Sequence, residues 1–176
     1  MKNIHCLYIH GLDSFPVPQK IQVLKDAGIE VFALTIDYRK EEKAYQILER
    51  YALENDINFI IGSSFGGYLG FWLSEKLGIP CLLFNPALAF RSIDTSLVPT
   101  IEERNCPLRM MVLGIMDETV HPNLTLEWLN NFSKGTTEEK IITCHWLAHH
   151  IDIHTFESIC LWSLVVVNQL FKSTSK

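Results

Sequence analysis

One stretch, residues 57–78, constrains the fold of this chain more than any other part of the sequence. A short apolar run rich in β-branched residues leads directly into Gly62-Ser63-Ser64-Phe65-Gly66, and an apolar helical pattern follows. Glycines two residues before and two residues after a serine let a strand and a helix pass close to each other, because neither carries a side chain. The sequence therefore predicts a buried strand, a tight turn with Ser64 at its apex, and a helix.

Ser64 in this position is a candidate nucleophile. Its hydroxyl would project from the carboxyl edge of a sheet, at the N-terminus of a helix, where free N–H groups and the helix dipole favour developing negative charge. Glycine and serine fall at this spacing by chance in roughly one in twenty chains of this length, so a purely structural turn is the alternative. The strand pattern before the turn and the helix pattern after it favour the nucleophile.

Strand and helix patterns alternate along the whole chain, which predicts an α/β fold. We expect one domain over residues 1–176, with about six mostly parallel strands, helices on both faces of the sheet and no separate cap domain. Residues 88–107 have mixed character and predict a short helix and a loop. The predicted strands are 4–9, 29–36, 57–61, 80–84, 108–113 and 140–145, and the predicted helices are 19–27, 40–53, 65–77, 122–132 and 153–171.

Composition narrows the function classes. Hydrophobic residues make up 48% of the chain and charged residues 20%, as in globular proteins. The net charge is -5 and the basic residues are scattered singly, which argues against a nucleic-acid partner. Met1 leads almost directly into the first strand, and the longest apolar run, residues 159–171, is too short to span a bilayer. We therefore expect a cytoplasmic protein with no membrane partner, and the oligomeric state stays open.

A serine nucleophile needs a base and usually a carboxylate that orients the base. Asp117 follows the fifth strand and precedes a helix, and we assign it as the acid, with Glu118 as the substitute. After the sixth strand, the chain offers several histidines. We choose His150 as the base, because it lies beyond the strand and before the last helix, with His149 as the alternative.

The same histidines could be interpreted as metal ligands. His145 and His149 are four residues apart, as are His150 and His154, which is a spacing that suits a helix. A strand and a loop are expected here instead, and neither a cysteine nor a carboxylate set converges in sequence. We therefore predict no metal and no other cofactor. The five cysteines have no C-x-x-C spacing and are expected to be buried free thiols.

An oxyanion formed during acyl transfer needs two preorganised donors. The turn supplies one, the N–H of Phe65, which is the residue after the nucleophile. The other is expected after the first strand, where Gly11 lets the backbone turn and the N–H of Leu12 points inward. The expected substrate-binding residues are His10, Gly11, Phe15, Ala87 and Leu88, together with Phe90 in the pocket wall.

These motifs together resemble the α/β-hydrolase superfamily, and within it the small YqiA-type esterases. The motifs are His10-Gly11, the serine turn with Gly67-Tyr68, Asn85-Pro86-Ala87, Asp117-Glu118 and a late histidine, and the resemblance covers nearly the whole chain. It implies a triad in the chain order Ser64, Asp117, His150, on a compact sheet without the two N-terminal strands of larger members. The family commonly has glycine or aspartate beside its catalytic histidine, and this chain has His149 there.

The expected reaction is acyl transfer to water. Ser64 attacks a small ester or thioester, His150 takes its proton, Asp117 holds the imidazole, and the acyl-enzyme is then hydrolysed. Without a cap domain the pocket should be shallow, which favours a small-molecule substrate with a short acyl chain. Two alternatives remain: a thioesterase or peptidase, and a hydrolase-like binding or scaffold protein that retains the serine without turnover.

Overall fold

A computed structural model of the chain describes residues 3–89, 92, 105–132 and 137–173. These residues form six strands and five helices, which alternate except that the fourth and fifth strands have no described helix between them. In chain order the elements are β1 (His5–Ile9), α1 (Pro18–Asp26), β2 (Glu30–Ala33), α2 (Ala44–Glu54), β3 (Phe59–Ser63), α3 (Phe65–Leu77), β4 (Cys81–Phe84), β5 (Leu108–Gly114), α4 (Pro122–Phe132), β6 (Glu138–Cys144) and α5 (Ile153–Ser173).

The six strands form one sheet in the order β2-β1-β3-β4-β5-β6, and every neighbouring pair is parallel. This confirms the predicted α/β architecture, and the described residues contain no separate cap domain. The chain runs from β1 outward to β2 and then returns to β3 on the other side of β1. Loops diverge at such a switch point, so the carboxyl ends of β1 and β3 flank a crevice.

Helices cover both faces of the sheet, as predicted. Alternate strand residues point to opposite faces, so Leu7 and Ile60 pack with α2, α3 and α4, whereas Cys6 and Phe59 pack with α1 and α5. The four inner strands β1, β3, β4 and β5 are buried over nearly their whole length, which explains their largely apolar sequences. All five cysteines are buried and free.

Several element boundaries differ by a few residues from the sequence prediction, and the structure gives a reason for two of the strand ends. Strand β2 ends at Ala33, because the Ile36 N–H leaves the ladder and donates to Nε2 of His10 at 3.2 Å. Strand β6 ends at Cys144, one residue early, because the Cys144 carbonyl accepts N–H bonds from Leu147 and Ile115 in a turn. The predicted helix and loop over residues 88–107 lie largely outside the described residues.

Arg109 is a charged residue in the middle of the sheet, on β5, with only 2% of its side chain exposed. Its guanidinium is paired with Glu75 of α3, which is fully buried, and with Glu139 of β6. The ring of Phe71 lies 4.3 Å from the guanidinium carbon. These contacts tie α3, β5 and β6 together through one buried cation.

In the described part of the chain, no helix combines the length and the apolar character needed to cross a membrane.

Candidate active site

Ser64 occupies the bend between β3 and α3, with φ 53° and ψ −120°. Non-glycine residues rarely adopt this backbone conformation, which costs on the order of 1–3 kcal/mol and persists only where the surroundings impose it. Here the Ser64 N–H donates to the Phe84 carbonyl at 2.9 Å, and the Ser64 carbonyl accepts the Ala87 N–H at 3.1 Å. The end of β4 therefore holds the serine in its strained position.

The glycines around Ser64 are required by close backbone approach. A Cβ on Gly62 would lie 2.5 Å from the Gly66 carbonyl oxygen, and a Cβ on Gly66 would collide with the carbonyl oxygen of His10. Real Cβ atoms do not approach backbone oxygens so closely, so neither position accepts a side chain without a backbone shift. Strand β3, helix α3 and the end of β1 can meet at this point because both residues are glycine.

Asp117 and His149 form a hydrogen-bonded pair at the same edge of the sheet. Nδ1 of His149 lies 2.8 Å from Oδ2 of Asp117, and the carboxylate is fully buried while the imidazole is partly exposed. Because an ionised carboxylate can only accept, Nδ1 is the donor in this pair. In the neutral ring Nε2 is then unprotonated and can accept a proton.

The second oxygen of Asp117 is also fully occupied. Oδ1 accepts the N–H groups of Thr119 and Val120, each at 2.8 Å, at the start of the loop before α4. Burial by itself opposes the charge of the Asp117 carboxylate, but the hydrogen bonds from His149, Val120 and Thr119 outweigh it and lower its pKa. The site therefore holds a fixed negative charge behind the imidazole.

His149, and not the predicted His150, is the histidine that contacts Asp117. The carbonyl oxygens of residues 147 and 148 are bound by the Met116 N–H at 3.1 Å and by Nδ2 of Asn85 at 2.9 Å. This anchoring directs the side chain of His149 toward Asp117, and the next residue, His150, is exposed. We therefore replace His150 by His149 as the candidate base.

Ser64 and His149 lie in the walls of the same two cavities, of about 310 Å³ and about 460 Å³. No direct hydrogen bond joins Ser64 Oγ to His149 within residues 3–89, 92, 105–132 and 137–173. Such bonds are commonly long in the absence of substrate and tighten in the complex. Both cavities offer space for a substrate next to the serine and the histidine.

His10 orders the loop that carries the second predicted oxyanion donor. Its Nδ1 donates to the Gly11 carbonyl at 2.8 Å and its Nε2 accepts from Ile36, which requires the neutral ring. Burial lowers the pKa of His10, against the effect of its bond to Gly11, which agrees with a neutral ring. In a trans peptide the N–H points opposite to the C=O, so the Leu12 N–H points away from the His10 ring.

The amides of Leu12 and Phe65 are both available as donors. Neither makes a hydrogen bond to another group in the part of the chain that the structure describes. Both residues line the 310 Å³ cavity together with Ser64. The backbone of Gly11 passes beside the serine, since a Cβ built there would lie 3.9 Å from Ser64 Oγ.

The remaining predicted binding residues are placed differently from one another. Ala87 lines the 310 Å³ cavity, and the exposed Phe15 lines the 460 Å³ cavity with Gly11 and His10. Both ring nitrogens of His10 are already hydrogen-bonded within the protein. His10 therefore forms part of the cavity wall but cannot form a hydrogen bond to a ligand through its ring. Leu88 is fully buried in the core and lines neither cavity, because the turn after Pro86 directs it inward. Phe90 lies outside the described residues.

The structural role of Asn85, which positions two loops of the site, was not predicted from the sequence. Its Oδ1 accepts the Gly114 N–H at 2.7 Å, and its Nδ2 donates to the Ala148 carbonyl, so one side chain joins the ends of β4 and β5 to the histidine loop. A signal was present, because asparagine after a strand suits the positive φ of 43° found here. Arg39 and Lys20, which also line the cavities, had no motif that could have marked them.

A metal site is not formed by the described side chains: none of their histidine, cysteine, aspartate and glutamate residues gather in groups of three or more that could hold an ion. The chemistry available at the site is that of a hydroxyl, an imidazole, a buried carboxylate and two free amides.

A parallel sheet with a serine at the strained bend after β3, and a carboxylate and a histidine after β5 and β6, is the arrangement of the α/β-hydrolase fold. Solved structures agree on the fold. The chain superposes on a monoacylglycerol lipase from Paleococcus ferrophilus with a TM-score of 0.72 at 14% identity, covering 94% of this chain and 96% of that one. The chain belongs to the Uncharacterised protein family (UPF0227), whose model matches residues 5–112.

Two further structures share this fold. Est1E from Butyrivibrio proteoclasticus, solved with ferulic acid bound, gives a TM-score of 0.66 at 13% identity and covers 99% of this chain and 91% of that one. The fluorophosphonate-binding serine hydrolase F of Staphylococcus aureus, solved with substrate bound, gives 0.63 at 15% identity and covers 95% of this chain and 84% of that one. At these identities the likeness shows the fold.

Proposed function

We propose that this chain is a serine hydrolase that cleaves a small carboxylic ester through Ser64, His149 and Asp117. The observation that carries the proposal is the 2.8 Å hydrogen bond between the buried Asp117 and His149, whose ring lines the two cavities that Ser64 also lines. A buried carboxylate, an imidazole with a free Nε2 and a strained serine are the three groups that nucleophilic acyl transfer requires.

In the proposed mechanism Nε2 of His149 takes the proton of Ser64 as Oγ attacks the ester carbonyl carbon. The carbonyl oxygen becomes an oxyanion between the N–H groups of Leu12 and Phe65. The tetrahedral intermediate then collapses, the bond to the alcohol oxygen breaks, and the imidazolium gives that oxygen its proton.

The acyl-enzyme is released by the same groups in reverse order. His149 removes a proton from water, the hydroxide attacks the acyl carbon, and Ser64 leaves with the proton returned from the imidazolium. Asp117 stays ionised throughout and stabilises the imidazolium that forms twice in each cycle. All steps are proton transfers and acyl transfers between groups of this chain, the ester and water.

Cavity size supports small substrates. Cavities of about 310 and 460 Å³ lie at the lower end of the range for sites that bind small molecules. The wall of the smaller cavity is partly apolar, with Phe65, Ala87 and Val120. We therefore propose short acyl chains in preference to long ones.

The test is covalent labelling with a fluorophosphonate probe, combined with hydrolysis of short p-nitrophenyl esters. The wild-type chain is expected to be labelled on Ser64, and Ser64→Ala is expected to lose the label and at least about 10⁴-fold in kcat. Ser63→Ala is the matched control, since it removes the neighbouring hydroxyl at the end of β3, and it should keep the label. A wild-type chain that is neither labelled nor active would mark a binding or scaffold protein and refute the proposal.

A further inference from the structure

Lys20 is a partly buried cation at the edge of the candidate active site. It lies in the first turn of α1, and its Nζ is 5.2 Å from the centroid of the Phe156 ring on α5. Burial lowers the pKa of Lys20, while nearby Cys160 and Asp152 act in the opposite direction. Within the described ranges, its ammonium group forms neither an ion pair nor a hydrogen bond.

The two acidic groups near Lys20 do not neutralise it. Asp152 is ionised and acts on Lys20 at a distance, but it forms no ion pair with Lys20 among the described residues, and its Oδ1 accepts the Thr155 N–H at 2.9 Å at the start of α5. Burial raises the pKa of the Cys160 thiol, so this sulfur is uncharged near pH 7. A partly buried ammonium beside an apolar ring has lost part of its hydration without gaining a hydrogen-bonded anion in its place.

Lys20 shares the 460 Å³ cavity with Ser64 and His149. The nucleophile and the unpaired cation are therefore walls of one space that a single small molecule can occupy. The cavity also contains the exposed ring of Phe15 and the hydroxyl of Ser14, which gives it both apolar and polar surface.

Arg39, the other cation at the site, differs from Lys20 because it has a carboxylate partner. It lines the 310 Å³ cavity with Asp13, and its Nε and Nη2 donate to the two carboxylate oxygens of Asp13, each at 2.6 Å. This fork geometry occupies one bidentate edge of the Arg39 guanidinium and pairs its charge with a carboxylate. Of the two cations in the cavity walls, only Lys20 has no carboxylate partner among the described residues.

We propose that the 460 Å³ cavity binds an anionic group of the ester, a carboxylate or a phosphate, through Lys20. The inference rests on the proposed function, since it names the substrate class of the same site. An anion in this cavity would give the ammonium the charged hydrogen-bond partner that it lacks, at a position partly shielded from water. The natural substrate is then an ester that carries a negative charge on its acyl part or its alcohol part.

The kinetic test compares matched charged and neutral esters. One pair, 4-nitrophenyl hydrogen adipate and 4-nitrophenyl hexanoate, places the charge on the acyl part, and a second pair, 4-acetoxybenzoate and 4-acetoxybenzamide, places it on the alcohol part. For one of the pairs, Lys20→Gln should lower kcat/KM of the charged ester relative to the neutral ester by about tenfold to a hundredfold. The pair of esters whose kcat/KM ratio changes shows whether the acyl part or the alcohol part of the substrate carries the charge that Lys20 binds.

Two further variants separate charge from structure. Lys20→Arg keeps the cation and should retain most of the preference for the charged ester. Lys25→Gln removes an equal charge from an exposed position on the same helix and should leave the ratio at the wild-type value. Equal ratios for Lys20→Gln and the wild-type chain in both pairs would overturn the proposal.

A binding measurement keeps this inference separate from the proposed function. Calorimetry with benzoate and with inorganic phosphate on Ser64→Ala requires no turnover, and Lys20→Gln in that background should weaken the binding by about tenfold or more. If the wild-type chain cleaves no ester, the proposed function fails, and the calorimetry alone tests the Lys20 site. Weaker anion binding after Lys20→Gln would support the site. Absence of anion binding to Ser64→Ala, or equal binding with and without Lys20→Gln, would refute it.

Discussion

Asn85 is hydrogen-bonded to the backbone directly before His149: its Nδ2 lies 2.9 Å from the Ala148 carbonyl oxygen. Its Oδ1 accepts the Gly114 N–H at the end of β5, three residues before Asp117. One amide side chain after β4 thus fixes the starting points of the two loops that supply the acid and the base. The geometry of the Asp117–His149 pair depends on a residue that touches neither side chain.

The two adjacent histidines should differ sharply in their effect on activity. His149→Ala removes the imidazole that Asp117 holds and should lower kcat by about 10² to 10⁴-fold, the usual contribution of a general base. His150→Ala alters an exposed ring with no bond to Asp117 and should stay within about tenfold of wild type. Steady-state kinetics on p-nitrophenyl acetate checks this, and an inactive His150→Ala beside an active His149→Ala would reverse the assignment.

Replacing Asn85 should reduce turnover without abolishing the fold. Asn85→Asp keeps an acceptor for the Gly114 N–H but places a charged oxygen against the Ala148 carbonyl, so the histidine loop should shift. We expect kcat to fall by about 10 to 100-fold, as for other residues that support a site indirectly. Circular dichroism and kinetics of the same preparation separate the two effects; unchanged kcat would show that Asn85 does not position the loop.

Two glycines close to Ser64 should respond differently to the same substitution. A Cβ on Gly66 would collide with the His10 carbonyl, so Gly66→Ala should destabilise the fold or prevent soluble expression. A Cβ on Gly11 would lie 3.4 Å from Ser64 Cβ, an ordinary contact, so Gly11→Ala should fold. It should lose activity, because the added methyl group lies beside the nucleophile. Thermal unfolding and ester hydrolysis of both variants test this contrast.

Asp117→Asn should affect both activity and the pH dependence of stability. The amide oxygen would keep the N–H bonds of Thr119 and Val120, which turns the NH₂ group toward His149 and forces the wrong tautomer. We expect kcat to fall by about 10³ to 10⁴-fold. Glu118→Gln, which changes the exposed neighbour, is the control and should retain activity.

The stability effect has a defined sign. Because the pKa of folded Asp117 lies below its ordinary value of 3.8, the ionised carboxylate stabilises the fold above about pH 4, and this contribution is lost as the pH falls through the folded pKa. Urea unfolding between pH 5 and pH 2.5 should show the difference between wild type and Asp117→Asn shrinking toward the acidic end. A difference that stays constant over this range would contradict the lowered pKa.

The buried pair of Arg109 with Glu75 should matter for stability rather than for catalysis. Arg109→Met removes the cation and leaves a fully buried carboxylate without its partner, which should cost about 3–5 kcal/mol of unfolding free energy. Arg50→Met removes the same charge from an exposed pair on α2 and should have no measurable effect. Urea denaturation of the two variants provides the comparison, and equal midpoints would show that the buried pair contributes little.

Much of the architecture follows from local sequence. Alternating apolar runs and amphipathic segments predict the order and type of all the described strands and helices, because strand burial and helix periodicity leave direct marks on neighbouring residues. The bend at Ser64 is predictable for the same reason, since Gly62 and Gly66 leave room for backbone contacts near in sequence and in space. The ends of β2 and β6 are not predictable in this way, because they depend on His10 and on the loop after β5.

The sequence by itself determined the parallel α/β sheet, the position of Ser64 at its bend and the carboxylate Asp117 after β5. Only the tertiary structure shows that His149, and not His150, contacts Asp117, because that contact depends on hydrogen bonds from Asn85 and Met116, which are more than 30 residues away in the chain. It also shows that Arg39 is paired with a carboxylate, whereas Lys20 has none among the described residues. Neighbours in sequence fix local conformation, whereas the direction of a side chain in a loop is fixed by the distant residues that hold its backbone.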